Sequence, residues 1–80
     1  MDFLYVSARL PRYTVGRDPG CDLVLPDPAV SRLHLLFEPV TPDVACLTVN
    51  GGMGASVRGV HVGKGYKCHV RSGDTIRVGR

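Results

Sequence analysis

Tryptophan is absent from this chain and aromatic residues make up only 6% of it, so it carries no ladder of rings on which the bases of a nucleic acid could stack. No apolar run approaches the length that crosses a bilayer, which argues against a membrane role. Cysteine is present but unpaired in pattern: Cys21, Cys46 and Cys68 are odd in number, far apart and show no C-x-x-C spacing. That pattern excludes a disulfide framework and a zinc knuckle, and leaves three reduced, mostly buried thiols. His34, His61 and His69 fall in three separate segments, so no metal-ligand set assembles from spacing alone. The opening residues, Met1 to Val6, lack the basic start and long apolar stretch of a secretory signal. A cytoplasmic setting is the expectation, with a nuclear one left open. Sustained helical periodicity is also missing.

What is present is a short chain of 80 residues, 44% hydrophobic, with a net charge of +3 and a pI near 9.0. A chain of this length holds one domain with a thin margin of stability. The positive charge suits an acidic partner without naming one. Most of it comes from arginine, whose planar fork grips phosphate through paired hydrogen bonds where lysine acts as a point charge.

Short apolar runs alternate with turn residues. Phe3 to Val6, Tyr13 to Val15, Leu23 to Leu25, Leu33 to Phe37, Val44 to Val49, Val57 to Val62, Tyr66 to Val70 and Thr75 to Val78 read as strands. Between them stand Asp18-Pro19-Gly20, Pro26-Asp27-Pro28, Thr41-Pro42-Asp43, Gly51-Gly52, Gly63-Lys64-Gly65 and Ser72-Gly73-Asp74, all residues that preset or tolerate turn backbone. This spacing predicts an all-β domain, a small antiparallel sandwich or barrel. In the seventh run, Tyr66, Cys68 and Val70 share one face while Lys67, His69 and Arg71 form a basic, solvated one.

Ser31 and His34 invite a catalytic reading, but nothing resembles a nucleophile elbow and the chain is too small to enclose a dry pocket. The prediction is that the protein is not an enzyme and needs no cofactor or metal. Phosphate recognition suits the same residues better. A loop serine donates one short bond to a phosphate oxygen, and an arginine adds charge-assisted ones worth about 1.5–3 kcal/mol each. Gly16 lets Arg17 leave its strand end, and Pro26 and Pro28 stiffen the approach to Ser31.

The ordered segments Val-Gly-Arg-Asp at 15–18, Cys-Asp-Leu-Val-Leu at 21–25, Val-Ser-Arg-Leu-His at 30–34 and Ser-Gly-Asp-Thr-Ile-Arg-Val-Gly at 72–79 together resemble a forkhead-associated (FHA) domain. The resemblance covers nearly all of residues 1–80, read as a single FHA-like domain that can stand as a fragment of a longer protein. It implies a β-sandwich of the FHA/SMAD type whose loops at one end recognise phosphothreonine in a partner protein, without catalysis. By position, Arg17 meets the phosphopeptide near the phosphate, Ser31 bonds the phosphate, Arg32 lies beside it, and Gly16 and His34 brace the loop.

The family's next landmark resembles Ser-Thr-Asn-Gly-Thr-x-Val-Asn-Gly, whose first Asn clamps the peptide backbone. Alignment on Val57-Arg58-Gly59 places Gly52 and Met53 at the Thr-Asn pair, and a shifted register brings in Asn50 instead. The departure supports a second reading, a degenerate FHA-like scaffold that docks a protein subunit without phosphate. The family also continues into a further strand that pairs with the N-terminal one, so the sequence predicts a sheet edge open to strand exchange or homodimerisation.

Overall fold

The computed structural model describes the backbone of residues 2–5 and, in full, residues 12–79. Among these residues all regular structure is strand: β1 (Asp2–Tyr5), β2 (Tyr13–Gly16), β3 (Leu23–Val24), β4 (Leu35–Thr41), β5 (Val44–Val49), β6 (Ala55–Val57), β7 (Val60–Val62), β8 (Lys67–Arg71) and β9 (Thr75–Val78). They form two sheets, one of order β1-β9-β6-β7 and one of order β3-β2-β4-β5-β8. Val6, expected to end the first strand, lies outside the described residues.

Alternation decides which side each strand turns inward. Along β5, Ala45, Leu47 and Val49 are buried while Val44, Cys46 and Thr48 are only partly covered, the period-two pattern of a strand with one face on a core. Leu35 on β4 and Val70 on β8 extend that layer, and Ala55, Val57, Ile76 and Val78 from the other sheet close over it. Leu25 and Val30 reach the same core from the segment between β3 and β4. That segment is therefore pegged at its start and its middle, although it is loop.

Three expectations need correction. The run Val57 to Val62 is not one strand but a hairpin, with Arg58 at φ 50° and Gly59 at φ 80° forming the turn between β6 and β7. Two successive positive φ values are the mark of a type I′ turn, which normally carries Asn-Gly. Arginine conceals that signal. Its unfavourable backbone is held in place by a hydrogen bond from its amide to the Thr75 carbonyl and by an ion pair from its guanidinium to the Asp74 carboxylate, which also accepts from the Arg71 N–H. Second, the chain at Leu33 and His34 is loop, and β4 instead runs on to Thr41 through Pro39, where the register with β5 shifts. A proline tolerated at such an irregularity did not end the strand. Third, the thiols are not mostly buried: all three cysteines are free and partly exposed. Burial still pushes the Cys68 thiol above its ordinary value, with Arg58 pulling it down and Cys46 and Asp74 adding to the rise.

The face alternation read from β8 holds, with Val70 buried, Cys68 against the core and Lys67, His69 and Arg71 exposed. Tyr66 is the exception, exposed and outside the strand. β9, the Gly-Asp-x-Ile strand, is paired on one side by β1 and on the other by β6, and β1 stands at the end of its sheet among the described residues. One pair, β2 with β3, is parallel.

Leu47 is fully buried at the centre of this core. Leu47→Ala should lower stability by about 2–5 kcal/mol, read in urea as a lower midpoint at unchanged slope, and a loss well under 1 kcal/mol would place Leu47 outside the packed centre.

Candidate functional site: the loops at one end of the sandwich

The end of β2, the start of β4, the end of β5 and the start of β6 all meet at one end of the sandwich, so the loops after Gly16, before Leu35 and between Val49 and Ala55 are neighbours. Sequence order alone would scatter these residues. The sheets bring Arg17, Ser31, Arg32, Asn50, Gly52 and Met53 to this single rim.

At its centre is His34, which is wholly buried. Its Nδ1 accepts the Ser31 N–H at 2.9 Å, and its Nε2 lies 2.8 Å from the Gly54 carbonyl oxygen. A backbone N–H can only donate and a carbonyl can only accept, so the ring is the tautomer protonated at Nε2. One imidazole thus fixes the position of Ser31 relative to the Gly51–Gly54 turn. The His34 carbonyl accepts from both Asn50 and Gly51 amides at 2.8 and 3.1 Å, and its own amide donates to Val15.

Two glycines give the ring and the loop their room. A Cβ on Gly51 would stand 2.1 Å from His34 Cε1, and one on Gly16 would stand 2.0 Å from the Arg32 carbonyl oxygen. Gly16 is therefore needed for close approach of two backbones, not for the backbone freedom expected of it from sequence. That contact lets the Arg17 and Asp18 amides donate to the Ser31 and Arg32 carbonyls at 3.0 and 3.1 Å.

The side chains of the rim divide their bonding capacity. Arg17 donates through Nε to the Val30 carbonyl at 3.0 Å, which orients the guanidinium and leaves its two terminal nitrogens for a ligand. Ser31 Oγ accepts the Gly52 N–H at 3.2 Å. A hydroxyl has one donor besides its lone pairs, so its own proton remains to be donated to an anion. Arg32 is exposed beside it, its carbonyl held by the Cys21 thiol at 3.3 Å. Among the described residues neither arginine stands in an ion pair. The nearby acids are engaged in turns: Asp18 accepts from Gly20, Asp27 from Ala29, and Asp22 from Thr14.

Asn50 and Met53 take opposite roles. The Asn50 side-chain amide donates to the Leu33 carbonyl at 3.1 Å, joining the same two loops that His34 joins. Met53 is half exposed on the Gly51–Gly54 turn. The bracing by Asn50, the thiol contact of Cys21, the core peg of Val30 and the packing role of Gly51 were not apparent from sequence. Only the glycine pair at 51–52 gave a signal, and it read simply as a turn.

The family model described as FHA domain matches residues 13–79. The chain belongs to the FHA family. FHA domains are non-catalytic interaction modules with a β-sandwich fold. Among curated proteins, the FHA domain-containing protein PS1 of Arabidopsis thaliana is similar, 33% identical over 67 residues that cover 81% of this chain and 4% of that protein. Among solved structures, the FhaA FHA domain complexed with the intracellular domain of Rv3910 shares 32% identity with a TM-score of 0.72, covering 89% of this chain and 75% of that one. The N-terminal FHA domain of S. cerevisiae Rad53p, solved with a phosphothreonine peptide, shares 28% identity with a TM-score of 0.73, covering 85% of this chain and 56% of that one.

In this FHA chain, His34→Ala would leave the Ser31 N–H and the Gly54 carbonyl without partners, at about 1–3 kcal/mol each. Gly51→Ala would displace the same ring. The two substitutions should therefore be strongly non-additive, the double variant losing clearly less than the summed single losses in urea unfolding; simple additivity would separate the glycine from the imidazole.

Proposed function

We propose that the chain is a phosphopeptide-recognition module, one that binds a phosphothreonine-bearing segment of a partner protein and so mediates a protein–protein interaction. The observation that carries this reading is the joint placement of Arg17 and Ser31. The Arg17 amide donates to the Ser31 carbonyl at 3.0 Å and its Nε to the adjacent Val30 carbonyl, so guanidinium and hydroxyl are held on one rigid unit before any ligand arrives. Preorganisation of this kind lowers the ordering cost of binding. Arg32 adds a second charge from the same loop, and Gly52 polarises the Ser31 hydroxyl through its amide.

The Rad53p domain in complex with a phosphothreonine peptide supports the choice of ligand. The second reading, a scaffold that docks a subunit without phosphate, has one observation in its favour. On the register aligned at Val57-Arg58-Gly59, Met53 stands where the family carries its clamping amide, and the Asn50 side-chain amide donates to the Leu33 carbonyl. Binding in the proposed mode therefore leans on charge, and should be more sensitive to salt than a clamped complex would be.

The test is fluorescence anisotropy with a degenerate phosphothreonine peptide pool beside its unphosphorylated twin. Arg17→Ala should weaken phosphopeptide binding by about 10- to 150-fold, the equivalent of one or more bonds to a charged group, while costing only about 1 kcal/mol of stability for its lost backbone bond. Equal binding of the two pools by the wild type would favour the subunit-docking scaffold. Affinity should also fall as the pH drops through about 6, where the phosphate takes up its second proton, and a flat profile from about pH 7.5 to 5 would speak against recognition of the dianion.

A further inference from the structure

We propose that the anion cradle is one half of a two-part surface whose other half is apolar, and that the module selects phosphorylated segments with aliphatic side chains within two residues of the phosphorylated one. This rests on the phosphopeptide reading above and adds to it the chemistry of the flanking residues.

The exposed large hydrophobic side chains of the described residues are Val24, Leu33, Val40, Met53, Val60 and Tyr66. Four of them stand at the loop end. Val24 lies opposite Gly16 at the end of β3, Leu33 and Met53 sit in the two loops that His34 joins, and the Tyr66 carbonyl accepts the Val49 amide just before Asn50. Single exposed apolar residues are ordinary, but a group of them adjoining a charged site marks a contact surface.

Leu33 and Met53 are the two that matter most. Met53 directly follows Gly52, whose amide is bonded to Ser31 Oγ, and Leu33 follows Ser31 by two residues, its carbonyl held by Asn50. Leu33 and Met53 are 39% and 49% exposed, one in each of the two loops that meet at Ser31. Their backbones are not loose. The turn bearing Met53 is closed by the Gly54 amide on the Gly51 carbonyl at 3.0 Å, and Leu33 lies between the bonded residues Arg32 and His34.

Several other polar groups of these loops are bonded within the loops themselves. Asn50 faces Leu33, Asp27 and Asp18 accept from their own turns, and Cys21 donates to Arg32. A segment bound at Arg17, Ser31 and Arg32 is thus offered exposed aliphatic and thioether side chains from the same two loops. An unbranched methionine adapts to side chains of varied shape, which suits a flank defined by apolarity and not by one residue type.

The experiment compares two phosphothreonine peptides of equal charge, one with Leu or Val and one with Ser or Gln at the positions within two residues of the phosphothreonine. Each is measured beside its unphosphorylated twin by anisotropy against wild type, Met53→Ser, Met53→Leu and Leu33→Ser. The wild type should bind the phosphorylated apolar peptide about fivefold tighter than the polar one, slightly above what one buried methylene confers. That gap should narrow in Met53→Ser and Leu33→Ser and return in Met53→Leu. Equal affinity of the wild type for both phosphopeptides, or preference for the polar one, overturns this inference and leaves phosphopeptide recognition standing. Binding that ignores phosphorylation overturns both.

Discussion

The geometry of the loop end depends on one buried ring. His34 is the sole buried polar residue among those described, and both of its nitrogens are bonded to backbone of different loops. Burying an imidazole is unfavourable unless each polar atom finds a partner. Here satisfaction of the ring and definition of the site are one arrangement, because the partners are the amide of Ser31 and the turn that carries Met53. If the ring shifted, hydroxyl and turn would separate together.

Such a constraint explains why so much of the rim is glycine and backbone. The ring fills the space where Gly51 would carry a Cβ, and the Arg32 carbonyl fills that of Gly16. Small residues at these points are packing requirements imposed from inside the sandwich. Asn50 serves the same end from outside, tying Leu33 to the loop that follows β5. With several hydrogen bonds joining the two loops, neither can open without breaking the others, so the side chains of the rim are held in register.

The sandwich was legible in the sequence because its signals are local. Period-two burial in β5 and β8 and the turn residues between runs needed only neighbours to be read. The hairpin at Arg58–Gly59 was not legible, since its positive φ is stabilised by Asp74 and Thr75 from a distant turn. No local rule attaches a left-handed backbone to arginine. The same limit applies at the site: Arg17, Ser31 and His34 stood out by type and order, while Val30, Cys21 and Gly51 act through contacts that only the closed sheets create. Gly16 stood out for the wrong physical reason, because sequence marks a glycine as permissive and cannot show what stands next to it.

Charge and rigidity come from different parts of the chain, and that separation bears on how the site can vary. The ring, the glycines and the Val30 peg belong to the core, where a substitution costs stability before it touches binding. The side chains of Arg17, Arg32 and Met53 project from that frame, and of the three only that of Arg17 is bonded to it, through Nε to the Val30 carbonyl. Asn50 lies on the other side of the division, since one N–H of its side-chain amide holds the Leu33 carbonyl. The Met53 thioether is exposed on a turn closed by the Gly54 amide on the Gly51 carbonyl, so a substitution at position 53 alters what the rim presents without loosening the loop that carries it.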